Sequence, residues 1–440
     1  MSRIRTTLVA GLCGLACVLM LAAAAPVAAQ QARAAQADPH RPTKTRTVPQ
    51  ALLTERTHRD LERIYAQISD EKYAEALPAL NNLLNRSGLT DYEKAVIIQA
   101  RGYVYSLTDR FDQALRDFEE VVRMNVLPNT AHFPLLLQIA NLYMAQERFE
   151  LTLRWVDEWF AYADTPTADA YMLRATALAQ LNRFREALVP IDRALALRPD
   201  APDQWYQLKL AAHFELKEYP QAARVLEYLI QRDPGRRSYW NQLVSVYLAM
   251  DDQRNALAVA ALAHRKGIFE RETEWVQLYQ LYSFNEVPYK AAQILEEGLT
   301  KGVVEATQRR WEDLGNAWYS AQEMDRALAA YTRAGALSAD GKIDLQRGYI
   351  LVDQEKWAEA EAALSEAVRK GGLDQPCNAH LLLGMAQYEQ GKRAPAQASF
   401  NRAMQGDRCR RAAEQWLRHM QETRPRAAEP AEVEEQIGPE

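Results

Sequence analysis

Beyond the N-terminal fifty residues, six of the chain's seven histidines, His58, His132, His213, His264, His380 and His419, are the side chains best suited to hold a metal or move a proton near neutral pH. A helix-borne metal site needs two such ligands three or four residues apart, so that both leave one face, and no two of these stand at that spacing. Adjacent carboxylates occur at Glu119 with Glu120 and at Glu296 with Glu297, yet on amphipathic helices such pairs read as solvated faces rather than as an acid and a base. No glycine-rich phosphate loop follows a strand, and no Gly-x-Ser-x-Gly elbow is present. The pattern predicts no catalytic, cofactor-binding or metal-binding residues: not an enzyme, but a protein that works through a surface.

The two ends of the sequence bound where that surface operates. Arg3 and Arg5 precede an apolar stretch from Leu8 to Ala25, and small residues at Val27 to Ala29 lead to Gln30, which is the layout of a secretory signal over residues 1–29 cleaved after Ala29. An uncleaved membrane anchor is the competing reading. Removing residues 1–29 takes the formal net charge from −5 to −7, which leaves no basic excess to displace counterions from nucleic acid. Residues 30–50 are basic and contain proline, residues 422–440 are acidic with few bulky apolar side chains, and both are expected to be disordered.

Between these ends, a small residue recurs after an aromatic or a turn. It is Ala76, Ala114, Thr152, Ala187, Ala222, Ala256, Ala291, Ala327, Ala360 and Ala396, at spacings of 38, 38, 35, 35, 34, 35, 36, 33 and 36. Twelve residues before most of these stands a second small or packing position, among them Gly102, Ala140, Ala175, Gly315, Gly348 and Gly384. A period in this range marks stacked units, each too small to bury its own apolar face. Small residues let two antiparallel helices of one unit approach closely. The sequence therefore predicts an all-α solenoid of ten helix-turn-helix units over residues 51–421. A final amphipathic helix from about Arg410 to Met420 caps the last unit.

Trp311, Leu314, Gly315 and Trp318 on a first helix, Ala327 on a second, and Pro199 and Pro234 at exits resemble the tetratricopeptide repeat, a right-handed superhelical family. That resemblance implies a concave surface lined by first-helix residues at fixed offsets from the small anchor. Here they are Tyr103, Asn141, Gln207, Phe214, Asn241, Gln280, Asn316, Tyr319, Tyr349 and Tyr388. Amides can pair with the main chain of an extended peptide and aromatics can hold its apolar or prolyl side chains, so these form the expected partner-binding groove. Cys377 opens the first helix of the tenth unit and Cys409 follows its second, which makes the two thiols neighbours; a disulfide and two buried thiols both remain open.

Four stretches carry a narrower resemblance: residues 159–181 (WFAYADTPTADAYMLRATALAQL), 239–252 (YWNQLVSVYLAMDD), 281–304 (LYSFNEVPYKAAQILEEGLTKGVV) and 368–392 (VRKGGLDQPCNAHLLLGMAQYEQGK). They are similar to exported repeat proteins encoded with the TonB, ExbB and ExbD energy-transducing system of Gram-negative bacteria. The resemblance implies a periplasmic accessory of TonB-dependent transport, of the kind that takes up iron siderophores. Its partners would be TonB, ExbB or ExbD, with contact to the inner membrane only through them. An adaptor for envelope assembly or polysaccharide export is the alternative on the same fold.

Overall fold

The computed structural model of the chain describes residues 40–48 and 51–423. The expected signal segment, residues 30–39 and 49–50 of the expected linker, and residues 424–440 of the tail lie outside the described residues. Among the described residues there are 21 helices and no strand. No helix among them is long and apolar enough to cross a membrane.

The chain divides into two units, one ending at Arg232 and one beginning at Asp233. In the first unit α1 (Glu55–Ser69) pairs with α2 (Tyr73–Leu84), α3 (Asp91–Leu107) with α4 (Phe111–Met124), and α5 (Asn129–Ala145) with α6 (Phe149–Tyr162). There α7 (Ala168–Gln180) also pairs with α8 (Phe184–Leu197), and α9 (Asp203–Glu215) with α10 (Tyr219–Arg232). In the second unit α11 (Arg237–Ala249) pairs with α12 (Gln253–Arg265), α13 (Glu272–Phe284) with α14 (Pro288–Thr300), and α15 (Gln308–Ser320) with α16 (Met324–Leu337). The unit continues with α17 (Lys342–Asp353) on α18 (Trp357–Lys370) and α19 (Pro376–Glu389) on α20 (Arg393–Ala403), and closes with α21 (Asp407–Glu422). Each unit is a tetratricopeptide-type stack of helix-turn-helix pairs, as the period predicts. The odd-numbered helix of each pair, its A helix, corresponds to the first helix of the repeat, and the even-numbered one is its B helix.

The reason for the small residues is visible in each seam. A methyl group placed on Gly102 would come 2.6 Å from the Phe118 ring, one on Gly315 2.5 Å from Tyr331, one on Gly348 2.3 Å from Leu364, and one on Gly384 2.7 Å from Phe400. In every case the partner lies sixteen residues on, so a missing side chain on the A helix receives a large one from the B helix. Val244 occupies the glycine position in another pair, and the residue sixteen later there is Ala260. Volume is conserved across the seam even where the residue types change places.

The turn inside each pair carries a left-handed residue. Glu71, Asp109, Glu147, Asn182, Lys217, Asp251, Glu286, Gln322 and Glu355 have φ between 57° and 63°, and in the tenth pair Gly391 has φ 77°. The residue that follows donates its N–H to a carbonyl five positions back, as Lys72 does to Gln67 at 2.9 Å and Val287 to Tyr282 at 2.9 Å. This closure satisfies carbonyls that the end of the A helix would otherwise leave unpaired.

At the C-terminal end, α21 lays Trp416 on Phe400 with ring centroids 5.6 Å apart and planes 7° from parallel. Cys377 and Cys409 form a disulfide there, with Cα atoms 5.9 Å apart. One expectation is corrected in part. Residues 40–48, assigned to a disordered linker by their polar composition, lie against α5 and α6 and hydrogen-bond to them. Main-chain donors meeting unpaired helix-end carbonyls hold a segment that has no large apolar side chain to bury.

Candidate binding face

The A helices present a stripe of residues that neither seam covers. In the first unit Tyr103 and Phe214 remain 48% and 40% exposed, and in the second Tyr319 and Tyr349 remain 44% and 45% exposed. These rings sit one or four residues after the buried seam position of their helices, so a helical turn of 3.6 residues carries them out of the seam while their anchor points in.

The amides expected on this face are divided in their duties. Asn141 donates to the Leu137 carbonyl of its own helix at 2.9 Å. Asn241 donates to Glu274 Oε1 at 2.9 Å, which ties α11 to α13. Asn316 accepts from the Tyr331 hydroxyl at 2.7 Å, and Gln346 Nε2 donates to that same hydroxyl at 2.8 Å. Burial pushes the Tyr331 phenol well above its ordinary range, so it stays a donor to Asn316. Gln280 is exposed and Gln207 half-buried on their A helices. Asn241 and Asn316 are thus first of all ties between neighbouring helices.

Tyr388 departs from its expected role. Its ring lies 5.5 Å from that of Trp416 and 5.6 Å from that of His419, and its hydroxyl is 3.2 Å from Thr423 Oγ1. The capping helix lies over it because α21 takes the place that a further A helix would fill. Tyr388, half-buried, therefore helps to close the end of the second unit.

Two charged residues of this face, Asp169 and Lys342, are matched locally. Asp169 meets Arg198 at 3.1 Å and Lys342 meets Asp374 at 2.9 Å. The histidines do not converge. His132 is buried, His213 has Nδ1 2.9 Å from Glu218 Oε2, and His264 stands edge-on to Trp275 with centroids 4.5 Å apart. Burial lowers the pKa of His213, His264 and His380, which favours neutral rings packed in the fold. Among the described residues no three His, Cys, Asp or Glu side chains are grouped to hold a metal ion. Glu297 pairs with Lys301 at 2.6 Å. Glu119, half-buried, accepts from the Tyr143 hydroxyl, which burial and that bond push up to about 12, so it is a packing contact more than a solvated face.

Sequence reasoning passed over four buried carboxylates. Glu93 accepts from Thr90 N at 2.9 Å, Thr54 Oγ1 at 2.7 Å and Thr54 N at 3.2 Å, joining the start of α3 to the start of α1. Asp117 takes a two-pronged bond from Arg101 at 2.8 Å on each arm. Glu274 accepts from Glu270 N at 2.8 Å and Arg271 N at 3.0 Å. Asp344 meets Arg347 at 2.9 Å and Lys370 at 2.7 Å. For Glu93 a signal existed, since Thr90 followed three residues later by Glu is the capping-box pattern.

Residues 345–412 match the family model described as tetratricopeptide repeat. Among solved structures, a tetratricopeptide repeat protein from Parabacteroides merdae is 14% identical with a TM-score of 0.37, over 65% of this chain and 94% of that one. The C-terminal part of a repeat-containing protein from Cytophaga hutchinsonii is 16% identical with a TM-score of 0.37, over 63% of this chain and 95% of that one. YrrB, described as a TPR protein with an unusual peptide-binding site, is 16% identical with a TM-score of 0.34, over 45% of this chain and 100% of that one. No curated protein matches the chain.

Proposed function

We propose that the protein is a non-enzymatic scaffold that holds an extended segment of a partner protein on its A-helix faces. The observation that carries this reading is the set of aromatic rings left in water on those faces, with Tyr319 and Tyr349 on two successive A helices of the second unit. Rings of this kind grip apolar or prolyl side chains, and neighbouring amides such as Gln280 supply main-chain hydrogen bonds. We further propose a periplasmic location and a role as an accessory of TonB-dependent transport, with TonB, ExbB or ExbD as partner. The similarity of residues 159–181 and 368–392 to that group of exported proteins supports this finer reading.

Crosslinking in iron-starved cells tests the assignment. TonB, ExbB or ExbD is expected among the adducts, and replacing Tyr319 and Tyr349 by serine is expected to weaken the captured partner at least tenfold, about 1.4 kcal/mol. Asn316 is left intact because it holds Tyr331. Recovery of none of the three, with normal growth of a deletion strain on ferric siderophores, would overturn the transport role. Adducts with outer-membrane secretion proteins instead would favour the envelope-assembly alternative.

A further inference from the structure

The C-terminal end of α6 lacks the left-handed closure that ends the A helices. Its cap residue Ala163 is extended, with φ −73° and ψ 119°, so the last carbonyls of the helix face outward for other donors. Residues 40–48 (HRPTKTRTV) supply them. Thr43 N–H and Lys44 N–H both donate to the Ala161 carbonyl at 2.9 Å, and His40 Nε2 lies 2.9 Å from the Phe160 carbonyl.

Two cationic side chains of this strap, Lys44 and Arg46, are received by polar partners. Lys44 Nζ stands 2.6 Å from the Glu158 carboxylate and 5.5 Å from the centre of the Tyr162 ring, at the helix end where the backbone dipole favours a cation. Arg46 donates to Asn125 Oδ1 at 2.6 Å and to Asn129 Oδ1 at 2.8 Å, and Asn129 Nδ2 returns a bond to the Arg46 carbonyl at 3.2 Å. Beneath it lies His132, buried, with an Nδ1 atom that has no hydrogen-bond partner. Burial, helped by the nearby Arg46 charge, holds the His132 imidazole down to about 4.

Main-chain donors and cationic side chains provide this hold, and the strap inserts no large apolar residue. A contact of that kind can be exchanged for another segment with the same donors. We propose that the end of α6, together with the turn between α4 and α5, is a binding site for an extended basic segment, filled in cis by residues 40–48. The site is separate from the A-helix faces, and its test does not depend on them.

A labelled peptide of residues 40–48 provides the probe, and fluorescence anisotropy reads its binding. The full chain carrying His40→Ser, Lys44→Ser and Arg46→Ser keeps only the main-chain bonds of its own strap and should bind the peptide at least tenfold more tightly than the unaltered chain, whose intact strap competes. Adding Glu158→Lys to that variant should abolish the gain. Equal binding to the two proteins, or no binding to the variant, would overturn the proposal. The unaltered chain offers an independent check by hydrogen exchange. The Thr43 and Lys44 amides should be protected, and exchange at the rate of a free peptide would remove the basis for the site. A dimer that dissociates on the triple substitution would show that the strap crosses to a second copy, and would overturn the cis assignment.

Discussion

At the N-terminal end of the first unit, α1 is tied to α3 by one carboxylate, while at the C-terminal end of the second unit, α21 is tied to α19 by a covalent bond and to α20 by an aromatic stack. Glu93 gathers the main-chain N–H and hydroxyl of Thr54 and the N–H of Thr90. Cys377 is bonded to Cys409, and Trp416 lies on Phe400 beside Tyr388. The terminal helices of a repeat stack have a neighbour on one side only, so each end needs an added restraint. A polar clamp depends on the charge of its acceptor. A disulfide restricts the unfolded chain and depends on redox conditions instead.

The largest expected effect breaks the covalent end. Cys377 and Cys409 are separated by 32 positions, and closing a loop of that size is worth about 3–4 kcal/mol in the chain-entropy account. Replacing both by serine should lower the stability of the second unit by that amount in denaturant unfolding followed by Trp416 fluorescence. Reductant should reproduce the loss in the unaltered protein and have no effect on the variant.

Next comes the polar end. Burial alone would raise the Glu93 pKa, but hydrogen bonds from Thr54, Thr90 and Thr57 outweigh it and hold the carboxyl at about 2. A carboxylate whose folded pKa is depressed contributes stability above its ordinary value near 4.5, and that contribution is lost as the pH falls through about 2. Glu93→Gln should therefore cost about 2 kcal/mol at pH 7, and the gap between variant and unaltered protein should close by pH 2. The same substitution should leave the redox response of the second unit unchanged.

Beneath these differences the two regions share one seam geometry. Gly102→Ala and Gly384→Ala each push a methyl group into a phenylalanine ring, Phe118 and Phe400 respectively. Overpacking costs about 1–3 kcal/mol and the better helix propensity of alanine returns about 1, so a net loss of about 1 kcal/mol is expected for both in thermal unfolding. A loss at one site alone would show that the seams differ. The smallest effect lies in the turns. Gln322 has φ 63°, and Gln322→Gly relieves a left-handed strain of about 1 kcal/mol that the greater freedom of glycine in the unfolded chain partly offsets. Stability should rise by a few tenths of a kcal/mol.

Features imposed by packing were legible in the sequence. Ala291, Ala327 and Ala360 recur because only a small side chain fits the seam, and the same constraint made Gly315 and Gly348 readable. The capping helix could be placed from Ala413, Trp416, Leu417 and Met420, although its effect on Tyr388 could not, since that depends on where the helix lands. The left-handed turn residues left no signal. Glu, Asp, Asn, Lys and Gln all occupy that position, where the hairpin geometry sets the backbone and the side chain points to solvent. Buried carboxylates such as Asp344 read as surface charge because their partners, Lys370 above all, come from another helix. On the binding face the exposed rings were found by helical offset. The commitment of Asn241 and Asn316 to internal ties was hidden, because hydrogen-bond partners across helices are not encoded in a single period.

Site-resolved photo-crosslinking tests the central claim most directly. A photoreactive phenylalanine analogue at Tyr319 or Tyr349, on A helices, should capture the partner in cells, and the same residue at exposed Leu337 on a B helix should not. Capture from Leu337 alone, or equally from all three positions, would contradict a scaffold that grips its partner along the A-helix face.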